Sequence, residues 1–517
     1  MVEVTIDPLT RIEGHLKIRA NVDGGKVTDA WSSGMMYRGL ENILIGRDPR
    51  DASIITQRAC GVCPVAHATA SIRCLDDAFD ASVPENAKLI RNIILGSNNI
   101  MSHATHFYAL WAPDLANPVY KDILEAAGAG SVYNELSRRF AAFTGSSWIR
   151  AVMVRKKLHE IIAIFGGKMP HHMTYIPGGV TVRPDVGDIV KAYSLWLESK
   201  SFVEEHVLGC SVDRWLENRS LDDVVAWLDE SETHANSDIG LLIRYGGPIE
   251  DINLGLHAYG GYGAGECGFL SYGAFYEGDG RWLKPGFYDG DFNAFDPEKV
   301  TEYIAYSWYS GYTGGKHPNE GFTEPIEDPD FTSKDKYTWM KAPRYNDMPT
   351  EVGPLARMIN DRDPLVLDLA TKLGANVYTR TLARLHEAVR VLAKLKEWLL
   401  GVDIDGKFYE PAELPSSATG VGLTEAPRGS LGHWASIKDG KLERYQLVVP
   451  TTWNCSPRDD DGKLGAVEQA VVGTPVTAPD NPIEILHTVR SFDPCIACAV
   501  HTVDLRDSRK KYEVKVV

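Results

Sequence analysis

Two Cys-x-x-Cys pairs, Cys60 with Cys63 and Cys495 with Cys498, stand near opposite ends of this chain. Thiolates two residues apart can grip one metal ion from a single turn of backbone, and two such pairs complete a four-sulfur site. A zinc ribbon keeps both pairs inside one small module, whereas more than four hundred residues separate them here. A shared site therefore requires a large globule that brings its ends together around a buried centre. Spacing alone leaves the chemistry open between a structural zinc or iron site and a thiol redox pair, because both use the same dithiol geometry. Arg58, two residues before Cys60, could lower thiolate pKa values. His67 and His501 follow the pairs closely; each fits a donor behind the sulfurs, a ligand of another ion, or a satisfied polar residue of the core.

The length of 517 residues allows two to four domains or one intertwined fold. With 54 basic against 70 acidic residues the formal charge is −16, so phosphate backbones and anionic membrane surfaces would repel most of the exterior, and nucleic acid is not expected as a partner. The first residues lack both a basic segment and an apolar segment of a secretion signal, although export alongside a partner stays open. The longest apolar stretches, such as 161 to 165, fall far short of a bilayer span. Eight cysteines are too few for a disulfide scaffold of this size, which fits a reducing compartment and metal-bound thiolates. Cys74, Cys210, Cys267 and Cys455 lack a Cys-x-x-Cys partner and are assigned to packing.

Hydrophobic periodicity predicts an α+β chain, mainly α, with a core of long helices and small peripheral sheets. Alternating residues around Asp23-Gly24-Gly25 predict a β-hairpin within 1–35. Apolar spacing of three and four predicts long helices over 86–110, 133–165 and 364–400, with Gly374 marking a kink or close packing, so that 86–235 and 355–400 form the helical core. The Gly-, Tyr- and Trp-rich stretch 240–355 predicts strands and ordered loops capping that core, with alternation at 282–288 and 303–312. Residues 401–501 form a C-terminal segment of short strands and turns, of which 441–450 is the clearest strand. All of 1–501 reads as one domain, followed by an extension, 502–517.

The two cysteine motifs, Arg58-Ala-Cys60-Gly-Val-Cys63-Pro-Val-Ala-His67 and Asp493-Pro-Cys495-Ile-Ala-Cys498-Ala-Val-His501, resemble those of the large subunit of nickel-iron hydrogenases. Further segments carry the resemblance along nearly the whole chain: Arg11-Ile-Glu13-Gly-His15, Arg38-Gly-Leu-Glu41, Phe165-Gly-Gly-Lys168, Ala426-Pro-Arg428-Gly and Val448-Val-Pro450-Thr451-Thr-Trp453-Asn454. It implies heterolytic oxidation of dihydrogen at a nickel-iron centre, with carbon monoxide and cyanide on iron. Cys60 and Cys495 match terminal nickel ligands, Cys63 and Cys498 the bridging ones, and Cys495 the first proton acceptor. Soft thiolates suit both metals. Glu13 matches a proton relay, Arg428 a cation overhanging the metals, and Pro427, Pro450 and Thr451 the surroundings of the cyanides. Read by themselves, Glu13 would be a capping residue or an ion-pair partner of Arg11, and Arg428 would sit in a solvated loop.

The same resemblance implies a magnesium-type ion held by Glu41, the Leu447 carbonyl and His501. It also implies an iron-sulfur small subunit, maturation factors, removal of 502–517 by an endopeptidase, a higher oligomer of heterodimers, and electron transfer to a quinone or another acceptor. A cytoplasmic site, with membrane association only through partners, is expected. One departure is visible: many relatives carry aspartate before the histidine at 103, where this chain has Ser102, which cannot form that ion pair with Arg428, so a different position for Arg428 is expected. The rival readings are a structural zinc protein, a dithiol oxidoreductase, and a quinone-reductase relative without hydrogenase activity.

Overall fold

A computed structural model describes residues 2–126, 130–246 and 265–499. Helix accounts for about 46% and strand for about 20%, and no sheet among the described residues exceeds four strands, so the fold is mixed α and β with small sheets.

The N-terminal sheet is β1 (Val2–Ile6), β2 (Leu16–Asp23) and β3 (Lys26–Gly34), all antiparallel. The expected hairpin is β2–β3, turning on Gly24 and Gly25, both at positive φ. β1 adds a third strand that the alternation did not separate from it. The loop between β1 and β2 carries Glu13 inward. Gly14 permits this: it sits at φ 85°, and a Cβ there would lie 2.7 Å from the Ala497 amide nitrogen. Only glycine lets the start and end of the chain touch at this point.

Helix α1 (Pro64–Ala78) starts on Pro64, whose ring supplies a helical φ and whose missing N–H needs no partner at a first turn. The four longest helices are α2 (Glu85–Thr105), α3 (Ser146–Gly166), α4 (Val186–Phe202) and α5 (Val377–Leu400); α2 lies against α3 and α5, and α4 against the same two. Two expected helices are shorter than the periodicity suggested. The run 133–165 breaks at 141–145, where Gly145 approaches the Arg139 carbonyl too closely for a side chain. The run 364–400 is two helices, because Gly374 at φ 74° ends Pro364–Leu373 and Asn376 caps α5 through the Thr379 N–H. Gly374 is thus a break and not a kink.

Across 265–355 the structure has short strands and ordered turns. The alternation at 282–288 is divided by Lys284-Pro285 into Gly280–Leu283 and Gly286–Tyr288, and that at 303–312 contributes only the last residue of Val300–Tyr303 plus isolated bridges. Residues 247–264 of the expected cap lie outside the described residues.

The C-terminal part holds a meander, β4 (Ser417–Ala426), β5 (Gly429–Lys438) and β6 (Lys441–Val448). The first two strands have ten residues each, longer than expected, and β4 lies directly on α1. Contact is possible because Gly422 replaces a side chain where a Cβ would meet the Ala70 carbonyl oxygen at 1.9 Å. The β4–β5 turn is Pro427-Arg428, and β6 runs into α6 (Pro450–Asn454). The last described helix, α7 (Ile496–Ala499), carries Cys498.

Candidate metal centre

Cys60 follows a single 3-10 turn, Cys63 caps the start of α1, Cys495 pairs with Glu13 in an isolated parallel bridge, and Cys498 sits in α7. Their ligand atoms all lie within 4.8 Å of one another, and all four residues are buried. Cys63 Sγ is 3.2 Å from Cys498 Sγ, Cys495 Sγ is 3.4 Å from Cys60 Sγ, and Cys495 Sγ is 2.9 Å from Cys498 Sγ. These separations exceed a disulfide bond, and every cysteine is free. Four convergent soft donors in a dry pocket fit a thiolate-bound transition metal. Among the described residues this is the one group of three or more His, Cys, Asp or Glu able to hold an ion.

The quartet is electrostatically polarised. Hydrogen bonding from Cys495, then from Cys498 and Cys63, holds the Cys60 thiol far below its ordinary pKa despite burial, and Arg428 adds to the effect. Burial pushes Cys495 and Cys498 well upward. Arg58 is exposed and does not figure in this; the guanidinium beside the sulfurs is Arg428.

Arg38 closes the two chain ends on each other. Its guanidinium donates to the Arg58 carbonyl at 3.0 Å, to the Ala59 carbonyl in a shorter contact, and to the Ala497 carbonyl at 2.5 Å. One side chain therefore ties the loop before Cys60 to the helix of Cys498. Sequence reasoning recorded its segment without this role; an arginine one residue before a glycine was the available signal.

Glu13 is half-buried beside the centre. Its N–H reaches the Pro494 carbonyl at 3.4 Å, and its carbonyl accepts from Ile496 N–H at 2.7 Å. Burial raises its carboxyl pKa, the Cys60 charge raises it further, and Arg428 and Arg38 oppose this. The ion pair with Arg11 is absent from the contacts of Glu13: Arg11 turns instead to Asp114 and to the Leu110 carbonyl.

Arg428 is buried, so the turn holding it is no solvated loop. Its Nε donates to the Asp493 carbonyl at 2.9 Å, its Nη2 pairs with Asp493 Oδ1 at 2.9 Å, and its Nη1 lies 3.4 Å from Ser102 Oγ. Asp493 thus supplies a carboxylate to Arg428 while Ser102 offers only a long, neutral contact. Sequence reasoning quoted Asp493 as a flank of the second motif and missed that function. Burial works against the charge of Arg428, but Asp493 and the nearby sulfurs hold it firmly protonated.

Thr451 Oγ1 accepts from Cys495 N–H at 2.9 Å, and the Pro427 carbonyl accepts from Arg357 Nη2 at 3.0 Å. Pro450 is the buried first residue of α6. Thr451 thus touches the Cys495 backbone, and Pro427 directly precedes Arg428 in its turn.

Glu41 is also buried. Its Oε1 accepts from Leu447 N–H at 2.9 Å, and its Oε2 takes the Thr323 hydroxyl. The structure brings Glu41 and Leu447 together through the Leu447 amide, while His501 lies outside the described residues. Behind them, Lys341 Nζ stands between Gln446 Oε1 at 2.8 Å and Glu302 Oε2 at 3.3 Å. Burial pushes the Glu302 carboxyl up to about 7, with Lys341 opposing.

His67 turns away from the sulfurs to a side-chain network: its Nδ1 is 3.4 Å from His433 Nε2, His433 Nδ1 is 2.9 Å from Tyr445 Oη, and Tyr445 donates to Ser71 Oγ. Burial holds His67 down at about 4, so it is neutral at pH 7. The other four cysteines lie apart from the quartet; burial raises Cys455 and Cys267 to about 12 and keeps them as thiols. Among the described residues no helix is long and apolar enough to cross a membrane.

Comparison with known proteins gives one consistent picture. A family model described as nickel-dependent hydrogenase matches residues 38–146 and 133–501, and one described as HoxL-like matches 3–32. The periplasmic [NiFeSe] hydrogenase large subunit of Desulfomicrobium baculatum is 36% identical, covering 97% of this chain and 95% of that protein. The uptake hydrogenase large subunit of Rhodobacter capsulatus is 33% identical over the same shares. A solved structure of the H2-activated Dm. baculatum [NiFeSe] hydrogenase superposes with a TM-score of 0.79 at 35% identity, covering 97% of this chain and all of that one.

Proposed function

This chain belongs to the nickel-dependent hydrogenase large-subunit family, and from that premise we propose how its own residues divide the work of oxidising H2. It is a catalytic subunit, an oxidoreductase acting on H2, and it pairs with a small subunit. The buried sulfur quartet, assembled from both ends of the chain, carries the proposal.

Cys60 and Cys495 would hold nickel alone, and Cys63 and Cys498 would serve both nickel and iron. Separations of 2.9, 3.2 and 3.4 Å between the sulfurs fit one shared centre, and the division among them follows the family resemblance. This chain offers sulfur at all four positions. When bound, a nickel-iron pair with carbon monoxide and cyanide on iron supplies the soft, redox-active site at which the H–H bond is polarised and split.

The remaining steps fall to side chains. Arg428 presents a fixed positive charge over the open side of the pocket, held by Asp493, where a preorganised cation favours charge separation without reorganising. The Cys495 sulfur receives the proton. Glu13, bound by its backbone to residues 494 and 496, relays that proton outward; its raised pKa suits a group that must both accept and donate. Thr451 uses its oxygen on the Cys495 amide and can donate its hydroxyl proton toward a cyanide nitrogen. Pro427 and Pro450 exclude water beside it.

Glu41, the Leu447 carbonyl and His501 would hold the magnesium-type ion, since a carboxylate and a carbonyl suit a hard cation. Residues 1–501 act as one unit built on the long-helix frame, and 502–517 is removed by an endopeptidase after maturation factors insert the metals. Electrons pass to iron-sulfur clusters of the small subunit, then to a quinone or another acceptor, within an oligomer of heterodimers on the cytoplasmic side.

Glu13→Gln tests the relay. Glutamine keeps the size and backbone contacts but cannot carry a proton through ionisation. Nickel content should stay unchanged while H2-driven turnover falls about 100-fold or more, in line with loss of a positioned acid-base group. Turnover equal to the wild type would place the relay elsewhere.

A further inference from the structure

Beside Arg428 and Asp493 lies a closed ring of buried side chains, of which Arg384, His103, Glu387 and Arg357 have no role above. Asp493 Oδ1 holds Arg428, and Asp493 Oδ2 holds a second guanidinium, Arg384 Nη1, at 3.2 Å. The same Arg384 nitrogen lies 3.1 Å from His103 Nδ1. A guanidinium N–H can only donate, so His103 Nδ1 accepts and its proton sits on Nε2, which donates to Glu387 Oε1 at 2.9 Å. Glu387 in turn receives both Nε and Nη2 of Arg357 at 2.8 Å. Arg357 then closes the ring, donating to the carbonyls of Ala426 at 2.8 Å and Pro427 at 3.0 Å, the two residues immediately before Arg428.

The ring therefore grips Arg428 from two directions: Arg357 fixes the backbone of its turn, and Arg384 fixes the carboxylate that fixes its head group. We infer that Arg384 is a positioning residue for Arg428, anchoring Asp493 so that a single carboxylate sets the angle of the overhanging guanidinium at a site where Ser102 contributes no charge. This inference rests on the reading of Arg428 given above. Three observations carry it. Arg384 is buried, and its paired contacts are to Asp493 and to a neutral histidine, so its charge has no other carboxylate partner among the contacts described. Asp493 has one oxygen for each guanidinium, so losing either cation frees the carboxylate to turn. Ser102 meets Arg428 at 3.4 Å, the limit of hydrogen-bonding distance, and cannot replace that restraint.

A purely structural role for Arg384 predicts altered stability with an unaltered metal environment, and the experiment separates the two. The full chain, matured with its small subunit, is compared as wild type, Arg384→Met, Arg384→Lys and Arg384→Met/Ser102→Asp, with infrared bands of the iron-bound carbon monoxide and cyanide read beside nickel content and kcat. Arg384→Met should retain nickel, displace the bands and lower kcat about 10- to 100-fold, the range for losing a partner behind a metal site. Adding Ser102→Asp, which gives Arg428 a carboxylate from α2, should return the bands and kcat most of the way. Arg384→Lys should fall between, and it carries the test if the methionine variant does not mature. Bands and kcat identical to the wild type in Arg384→Lys and Arg384→Met, with Arg428→Lys inactive, would overturn the inference. Full activity of Arg428→Lys would instead overturn the premise about Arg428.

Discussion

Cys498→Ser should yield a folded chain that retains no nickel-iron centre and lacks H2 oxidation. Cys498 Sγ lies 3.2 Å from Cys63 Sγ and 2.9 Å from Cys495 Sγ, so it touches two of the three other corners of the quartet. Serine fits the space but substitutes a hard hydroxyl, which stays protonated at pH 7 and ligates soft metals poorly. The loss should exceed about 100-fold, beyond what removing a partner from the outer surroundings of a metal costs. Because metal binding and closure of the chain end are linked, the variant should also lose the stabilisation that the bound metals give to the mature form. Nickel quantification with an H2-uptake assay checks both parts. A variant with full nickel and ordinary uptake would remove Cys498 from the ligand set.

Arg428→Lys should keep its metals and lose most of its activity. Lysine preserves the charge, so one of the two cations on the buried Asp493 is not removed outright, a loss that costs about 3–5 kcal/mol for a buried pair. An ammonium cannot, however, reproduce the fork that places Nε on the Asp493 carbonyl and Nη2 on its carboxylate at once. The charge would then point along a different direction in a pocket where direction decides its effect. Loss of one preorganised electrostatic contact typically lowers kcat about 10²- to 10³-fold, and that fall is expected here. The check is kcat for H2 beside nickel content, with KM for H2 showing whether binding changed as well. Unchanged kcat would show that the direction set by the guanidinium fork has no part in the reaction.

The parts of the site that were legible in the sequence are those held by short, contiguous motifs. Both cysteine pairs announced themselves by residue type and spacing, whereas Glu13 and the Ala-Pro-Arg turn, read alone as a capping residue and a solvated loop, gained their roles only from the family resemblance; folding brings them all to one place. Chemistry assembled across distant elements was harder to see. Asp493 lies two residues from Cys495 yet reads as a flank until Arg428 arrives from a turn in another sheet. Arg384 and Glu387 sit on α5 among the leucines of its apolar stripe; charges on a buried helix face are a signal of internal pairing, but the partners Asp493, His103 and Arg357 come from three other segments. Arg38 and Arg58 show the same limit. The nearer arginine in sequence is exposed, and the one that spans both pairs is twenty-two residues before Cys60.

The fold divides similarly. The Asp-Gly-Gly hairpin and three of the four long helices, α2, α3 and α5, follow from local periodicity, and the break at Gly374 is written in a glycine followed by a capping asparagine. The packing of β4 on α1 is not, because Gly422 has meaning only once the Ala70 carbonyl is opposite it. The same holds for Gly14, which looks like a turn residue and serves as the point where the two chain ends meet.

Together, the two distant cysteine pairs are proposed to hold a nickel-iron centre. Infrared spectroscopy of the mature, H2-oxidising heterodimer tests it most directly. Carbon monoxide and cyanide stretching bands should be present in the wild type and absent from Cys498→Ser. A fully processed, active preparation without those bands would contradict the assignment.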